Sequence, residues 1–170
     1  MRSESLEWWH VVWTTFLAWP PKDARGSWQD LADLYTDLAQ RHGPIKMSDP
    51  LPDRWQGKPE PGNVLTLSPV ARTLLAKSVY ELARDDRIAG DTPIRALAVQ
   101  PRSVQILLAC PSEVMHQRIG RLKSRSATLL SFDPATDIVG EGTWGKGFWW
   151  ARLEEEDCVS AVETFMTRIP

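Results

Sequence analysis

Two polar side chains stand two residues apart at the head of an apolar run, S-V-Q-I-L-L-A-C from Ser103 to Cys110. On an extended strand alternate side chains point to opposite faces, so Ser103, Gln105 and Leu107 share one face and Val104, Ile106 and Leu108 the other. Two polar side chains therefore stand side by side at the head of an otherwise apolar strand, and a serine hydroxyl with one amide oxygen makes a poor set of ligands for a divalent ion.

The second group that could do chemistry is cationic. Arg118, Arg121, Lys123 and Arg125 follow one another without an intervening acid, in a chain of 20 Lys and Arg against 22 Asp and Glu. A net charge of −2 argues against a generic nucleic-acid coat and leaves room for a local basic patch. Such a patch would contact phosphates, and a solvated helix face is the alternative.

Other constellations are missing from the sequence. His10, His42 and His116 fall on separate predicted elements, and there is no phosphate-binding glycine loop and no Gly-x-Ser-x-Gly. The only tyrosines, Tyr35 and Tyr80, sit among apolar neighbours on predicted helices and read as packing residues. His10, inside an apolar strand, reads as a packed, hydrogen-bonded ring. Cys110 and Cys158 form no Cys-x-x-Cys and are expected to be buried free thiols. Most of the nine tryptophans are assigned to core filling.

The elements that must position these residues follow from pattern and punctuation. Glu7 to Phe16 reads as a strand covered on both faces. Ser27 as N-cap, an apolar stripe of Leu31, Leu34, Tyr35 and Leu38, and Gly43 as a stop define a short helix. Pro44 to Ser68 is a long proline-rich connection, where Asp49, Asp53 and Glu60 read as solvated. Residues 26–67 are read as an insertion on the core. Ser68 and Pro69 open a helix to about Arg87. Ile94–Val99 and Ser103–Ala109 form a hairpin turned at Gln100-Pro101-Arg102. Ser112 is expected to cap a third helix to about Leu130. Thr143 to Arg152 closes the sheet, and the acids from Glu154 to Asp157 begin a last helix.

W-W-H-V-V-W-T-T-F near the start, the central hairpin, and W-G-K-G-F-W-W near the end resemble the single-tyrosine HUH transposases of insertion sequences and the REP-associated tyrosine transposase-like proteins. The resemblance is spread over most of the chain. In that family a His-hydrophobic-His strand holds the metal, and a tyrosine on the last helix attacks a DNA phosphate. The resemblance implies that the two histidines fall at Ser103 and Gln105, the tyrosine at Phe165, and a further polar ligand one turn later at Ile169. All four positions are degenerate, and Phe165 keeps the ring without the attacking oxygen.

The expected fold is thus α+β: one domain spanning 1–170, a ferredoxin- or RRM-like antiparallel sheet with helices on one face, plus an inserted helix, the proline-rich loop and a terminal helix. The expected function is that of a catalytically inactive transposase-like protein that binds a structured single-stranded DNA or RNA hairpin in a regulatory or accessory role. It would carry no catalytic residues and no cofactor, the ancestral divalent-metal site being lost. Arg102, Arg118, Arg121, Lys123, Arg125 and Lys146 are the expected phosphate contacts, and Trp149 or Trp150 the stacking residue. A homodimer is implied by the resemblance, and a cytoplasmic location by the lack of an 18-residue apolar run or an apolar leader. Two alternatives stand beside this reading. One is a protein-interaction module on the same scaffold, and the other an active transposase or nuclease with displaced catalytic residues.

Overall fold

The computed structural model describes residues 6–15, 28–48, 65–85, 92–134, 143–145 and 147–169. The elements are β1 (Glu7–Thr14), α1 (Trp28–His42), α2 (Pro69–Arg84), β2 (Ile94–Val99), β3 (Ser103–Cys110), α3 (Ser112–Phe132), β4 (Trp149–Leu153) and α4 (Glu156–Thr167). The strands form one antiparallel sheet in the order β2-β3-β1-β4. This α+β core has the split arrangement expected from the order of elements.

Local chemistry explains the boundaries. Ser68 Oγ accepts a hydrogen bond from the Ala71 N–H at 3.1 Å, and Pro69 takes the first helical position where no donor is missed. Gly43, with φ of 85°, ends α1 in the left-handed conformation that glycine adopts without steric cost. The hairpin turn closes with Gln100 N–H on the Ser103 carbonyl at 2.8 Å. One expectation is corrected at α3. Pro111 occupies the N-cap without a side-chain cap, and Ser112 is the first helical residue, because extended proline backbone already sets the entry. The closing strand is also shorter than expected, and begins at Trp149.

The alternation of β1 divides its side chains between two layers. Trp9, Val11 and Trp13 join Val104, Ile106 and Leu108 in a core completed by α2 and α3 through Leu75, Met115, Ile119 and Leu122. Val12 and Leu107 point the other way, into a second core with Leu31, Tyr35, Leu38, Trp149, Val159 and Val162. The two core helices share one face, and α1 and α4 cover the opposite one. Part of the 26–67 segment is therefore integral to the packing. Residues 46–48 also run along the outer edge of β4, with Arg152 N–H on the Lys46 carbonyl and Ser48 N–H on the Trp150 carbonyl, each at 2.8 Å. That contact covers an edge that would otherwise offer unpaired backbone groups.

No described helix is long and apolar enough to cross a membrane. Cys110 and Cys158 are free and buried, as expected. Burial pushes the Cys110 thiol up to about 12, far from the range of a reactive thiolate. Ser27, Asp49, Asp53, Glu60 and Lys146 lie outside the described residues.

Candidate functional site

The face that carries Ser103 and Gln105 is occupied by a buried hydrogen-bond network. His10 on β1 is 0% exposed, Tyr35 on α1 and Gln105 on β3 are each 3% exposed, and the three side chains meet between the sheet and α1. His10 Nε2 lies 3.0 Å from Gln105 Oε1, and His10 Nδ1 lies 2.9 Å from the Tyr35 hydroxyl. An amide oxygen only accepts, so Nε2 carries the proton and donates to it. In a neutral ring Nδ1 is then the acceptor, and the tyrosine O–H donates to it.

Electrostatics keep the network neutral. Burial lowers His10 to about 4, against a smaller opposing effect of the Gln105 bond. Burial, reinforced by the neighbouring Cys158 thiol, raises Tyr35 well above the ordinary phenol. Trp149, 3% exposed, completes the cluster edge-on to both rings, at 5.7 Å from His10 and 5.1 Å from Tyr35. A phenol oxygen thus lies one imidazole away from Gln105, yet it is shielded from solvent and held in its protonated form.

Phe165 and Ile169, the other two positions that the resemblance singles out, lie on or beyond α4. Phe165 is half-buried and packs on the second core. Ile169 stands past the end of α4 at Thr167, not one helical turn further along as expected, because the helix closes with Arg168 N–H on the Phe165 carbonyl. Ser103 Oγ lies 2.7 Å from Gln100 Oε1, to which it donates. The donor set offered to a divalent ion here is one hydroxyl already bonded to an amide and one amide oxygen already bonded to an imidazole. Among the described residues neither a carboxylate nor an uncommitted imidazole accompanies them, so Ser103 and Gln105 make a poor donor set for a divalent ion.

The basic helix faces the other layer. At 100° per residue, Arg118, Arg121 and Arg125 fall within about 60° of the α3 circumference, whereas Lys123 stands roughly 140–160° away. Lys123 Nζ donates to the carbonyls of Gly145 and Gly147 at 3.0 and 2.5 Å, and Trp144 Nε1 donates to the Lys123 carbonyl at 2.9 Å. Burial lowers this ammonium to about 8. The expected patch of four cations is therefore corrected to three arginines, with Lys123 serving as a clasp for the segment before β4. Arg118 donates to Thr92 Oγ1 at 3.0 Å, while Arg121 and Arg125 are exposed.

The remaining expected contacts separate as well. Arg102, at the hairpin tip, approaches Thr66 Oγ1 at 3.4 Å and is half-buried. Trp150 is half-buried on the α3 side, 5.4 Å from Trp9 and 6.2 Å from His116. Trp149 is a correction: its ring faces are already taken inside the second core, so it has no surface on which a base could stack. Gln105 with Trp149 and the arginine helix with Trp150 thus lie on opposite faces of one sheet. The sequence reading missed that His10 and Tyr35 meet, because their 25-residue separation leaves no periodic signal.

The fold and the site define a class: an α+β sheet of the split βαβ kind, with a neutral buried network on one face and a cationic helix on the other. No family model and no curated protein matches the chain. Among solved structures it is similar to a "putative transposase" from Deinococcus radiodurans R1, at 13% identity and a TM-score of 0.40, over 98% of this chain and 94% of that one. A likeness of that degree fixes neither family nor activity.

Proposed function

We propose that this chain is a catalytically silent relative of the single-tyrosine HUH transposases that binds structured single-stranded nucleic acid, a hairpin in DNA or RNA, in a regulatory or accessory role. The observation that carries the binding reading is the gathering of Arg118, Arg121 and Arg125 on one side of α3, in a chain that is acidic overall. Guanidinium groups in a row suit consecutive phosphates, since each offers a planar fork of donors. Silence is supported by the His10–Gln105 bond, which commits the amide oxygen where a metal-binding imidazole would stand, and by the absence of a hydroxyl at Phe165. We take the homodimer and the cytoplasmic setting as part of the same proposal, by analogy with the resembled family.

Equilibrium binding of a labelled DNA hairpin and its RNA counterpart at low salt tests the reading. Measurable affinity for at least one, weakened by replacing Arg118, Arg121 and Arg125 with alanine, is the expected result. An absence of binding to both overturns it. The second reading, a protein-interaction module, is favoured by one observation: apolar side chains, including Leu129 and Phe132, are exposed on that same helix. A stoichiometric protein partner purifying with the chain and free of nucleic acid would select it.

A further inference from the structure

We propose that Phe132 is the base-stacking platform for the strand whose phosphates the α3 arginines hold. The inference rests on the nucleic-acid reading above and adds to it the part of the site that touches a base. Val114, Arg118, Arg121, Arg125, Leu129 and Phe132 fall within about 80° of the helix circumference, so one stripe runs the length of α3. Glu113, the only acid of the helix, lies outside that stripe.

Exposure increases along it. Val114 packs against the first core and Arg118 is anchored to Thr92, whereas Arg121 and Arg125 are exposed, Leu129 is 43% exposed and Phe132 is 82% exposed. Single apolar side chains at a surface are ordinary. What sets this one apart is its place, about 10 Å along the axis from Arg125, the same rise that separates Arg125 from Arg118. Phosphate contacts at one end and a bare aromatic ring at the other are the two parts of a single-strand site.

Elimination points to the same residue. Among the described Phe, Tyr and Trp side chains only Tyr80 and Phe132 are exposed, and only Phe132 belongs to the arginine helix; the exposed His116 of that helix packs against Phe148 and Trp150. The tryptophans that composition suggested for stacking are packed, Trp149 wholly and Trp150 against Trp9 and His116. A stripe with three cations, no acid and a terminal π-face fits a polyanionic strand better than an apolar partner helix, which offers no complementary charge.

The probe is a labelled DNA hairpin with an unpaired thymidine tail, compared with the same hairpin bearing an abasic tail. Wild-type protein is expected to prefer the base-bearing tail by about tenfold, in line with the stacking of one base on an aromatic ring. Phe132→Ala should bring the two tails to equal affinity, and Phe132→Trp should keep the preference. Since the ring is exposed, both variants should melt like wild type, which separates a lost contact from a lost fold. If wild type binds both tails equally while the arginine variants still weaken binding, Phe132 is not a platform and the nucleic-acid reading survives. If Phe132→Ala keeps the preference, the proposal is also overturned. If no probe binds, both readings fall together.

Discussion

His10 Nε2 and Gln105 Oε1 lie 3.0 Å apart across the β1–β3 ladder, where Val12 is the direct partner of Gln105 and Leu107 that of His10. They are diagonal neighbours on one face, close enough for one bond and too deep for solvent to replace it. Tyr35 holds the other ring nitrogen, and removing either partner of His10 leaves a buried polar group unsatisfied, which costs about 1–3 kcal/mol. Gln105→Leu and Tyr35→Phe should each lower stability in denaturant unfolding by that amount. The double variant should depart from additivity by about 0.5–3 kcal/mol, because both act through one imidazole.

Acid should find the same ring. The folded state holds His10 near 4 against an ordinary 6.5, so between those values the unfolded chain binds more protons than the folded one. The contribution of the neutral ring is complete above about pH 6.5 and is lost as pH falls toward 4. At about 1.4 kcal/mol per pKa unit this amounts to roughly 3 kcal/mol. Stability measured across that window should fall more steeply in wild type than in His10→Gln, and parallel curves would contradict the assignment.

Lys123 should behave unlike its neighbours in sequence. Its ammonium is spent on the carbonyls of Gly145 and Gly147. Lys123→Met should therefore lower stability by about 1 kcal/mol, mainly through the half-buried Gly145 carbonyl left without its donor, with little change in the salt dependence of hairpin binding. A loss of affinity equal to that of Arg125→Ala would return Lys123 to the binding face.

Chemistry on DNA is expected to be absent. Incubation with labelled single-stranded DNA and Mn²⁺, followed by denaturing electrophoresis, should show neither cleavage nor a covalent adduct. Either product would revive the alternative of displaced catalytic residues, and an adduct lost in Tyr35→Phe would identify the attacking oxygen.

Much of the frame is legible in the residues themselves. Pro101 marks the hairpin turn, Ser68-Pro69 and Gly43 punctuate helices, and the alternation from Ser103 onward separates Gln105 from Ile106 correctly. Less legible is which layer a helix joins. The stripe of α1 shows that it has an apolar face, and nothing local says that this face covers the side of the sheet opposite α2 and α3. Tyr35 and His10 meet only because of that choice. The division of the α3 charges was available from helical arithmetic, since Lys123 falls two residues from both Arg121 and Arg125. Adjacency in the chain suggested one patch where rotation about the helix makes two.

The most direct test is the salt dependence of hairpin binding in wild type and in a variant with Arg118, Arg121 and Arg125 all replaced by alanine. Each phosphate contact with a single strand contributes about 0.7 to the slope of log affinity against log salt, so the variant should lose about 2 from it. A wild-type slope near zero, or one that the three substitutions leave unchanged, would contradict a cationic helix that holds nucleic acid.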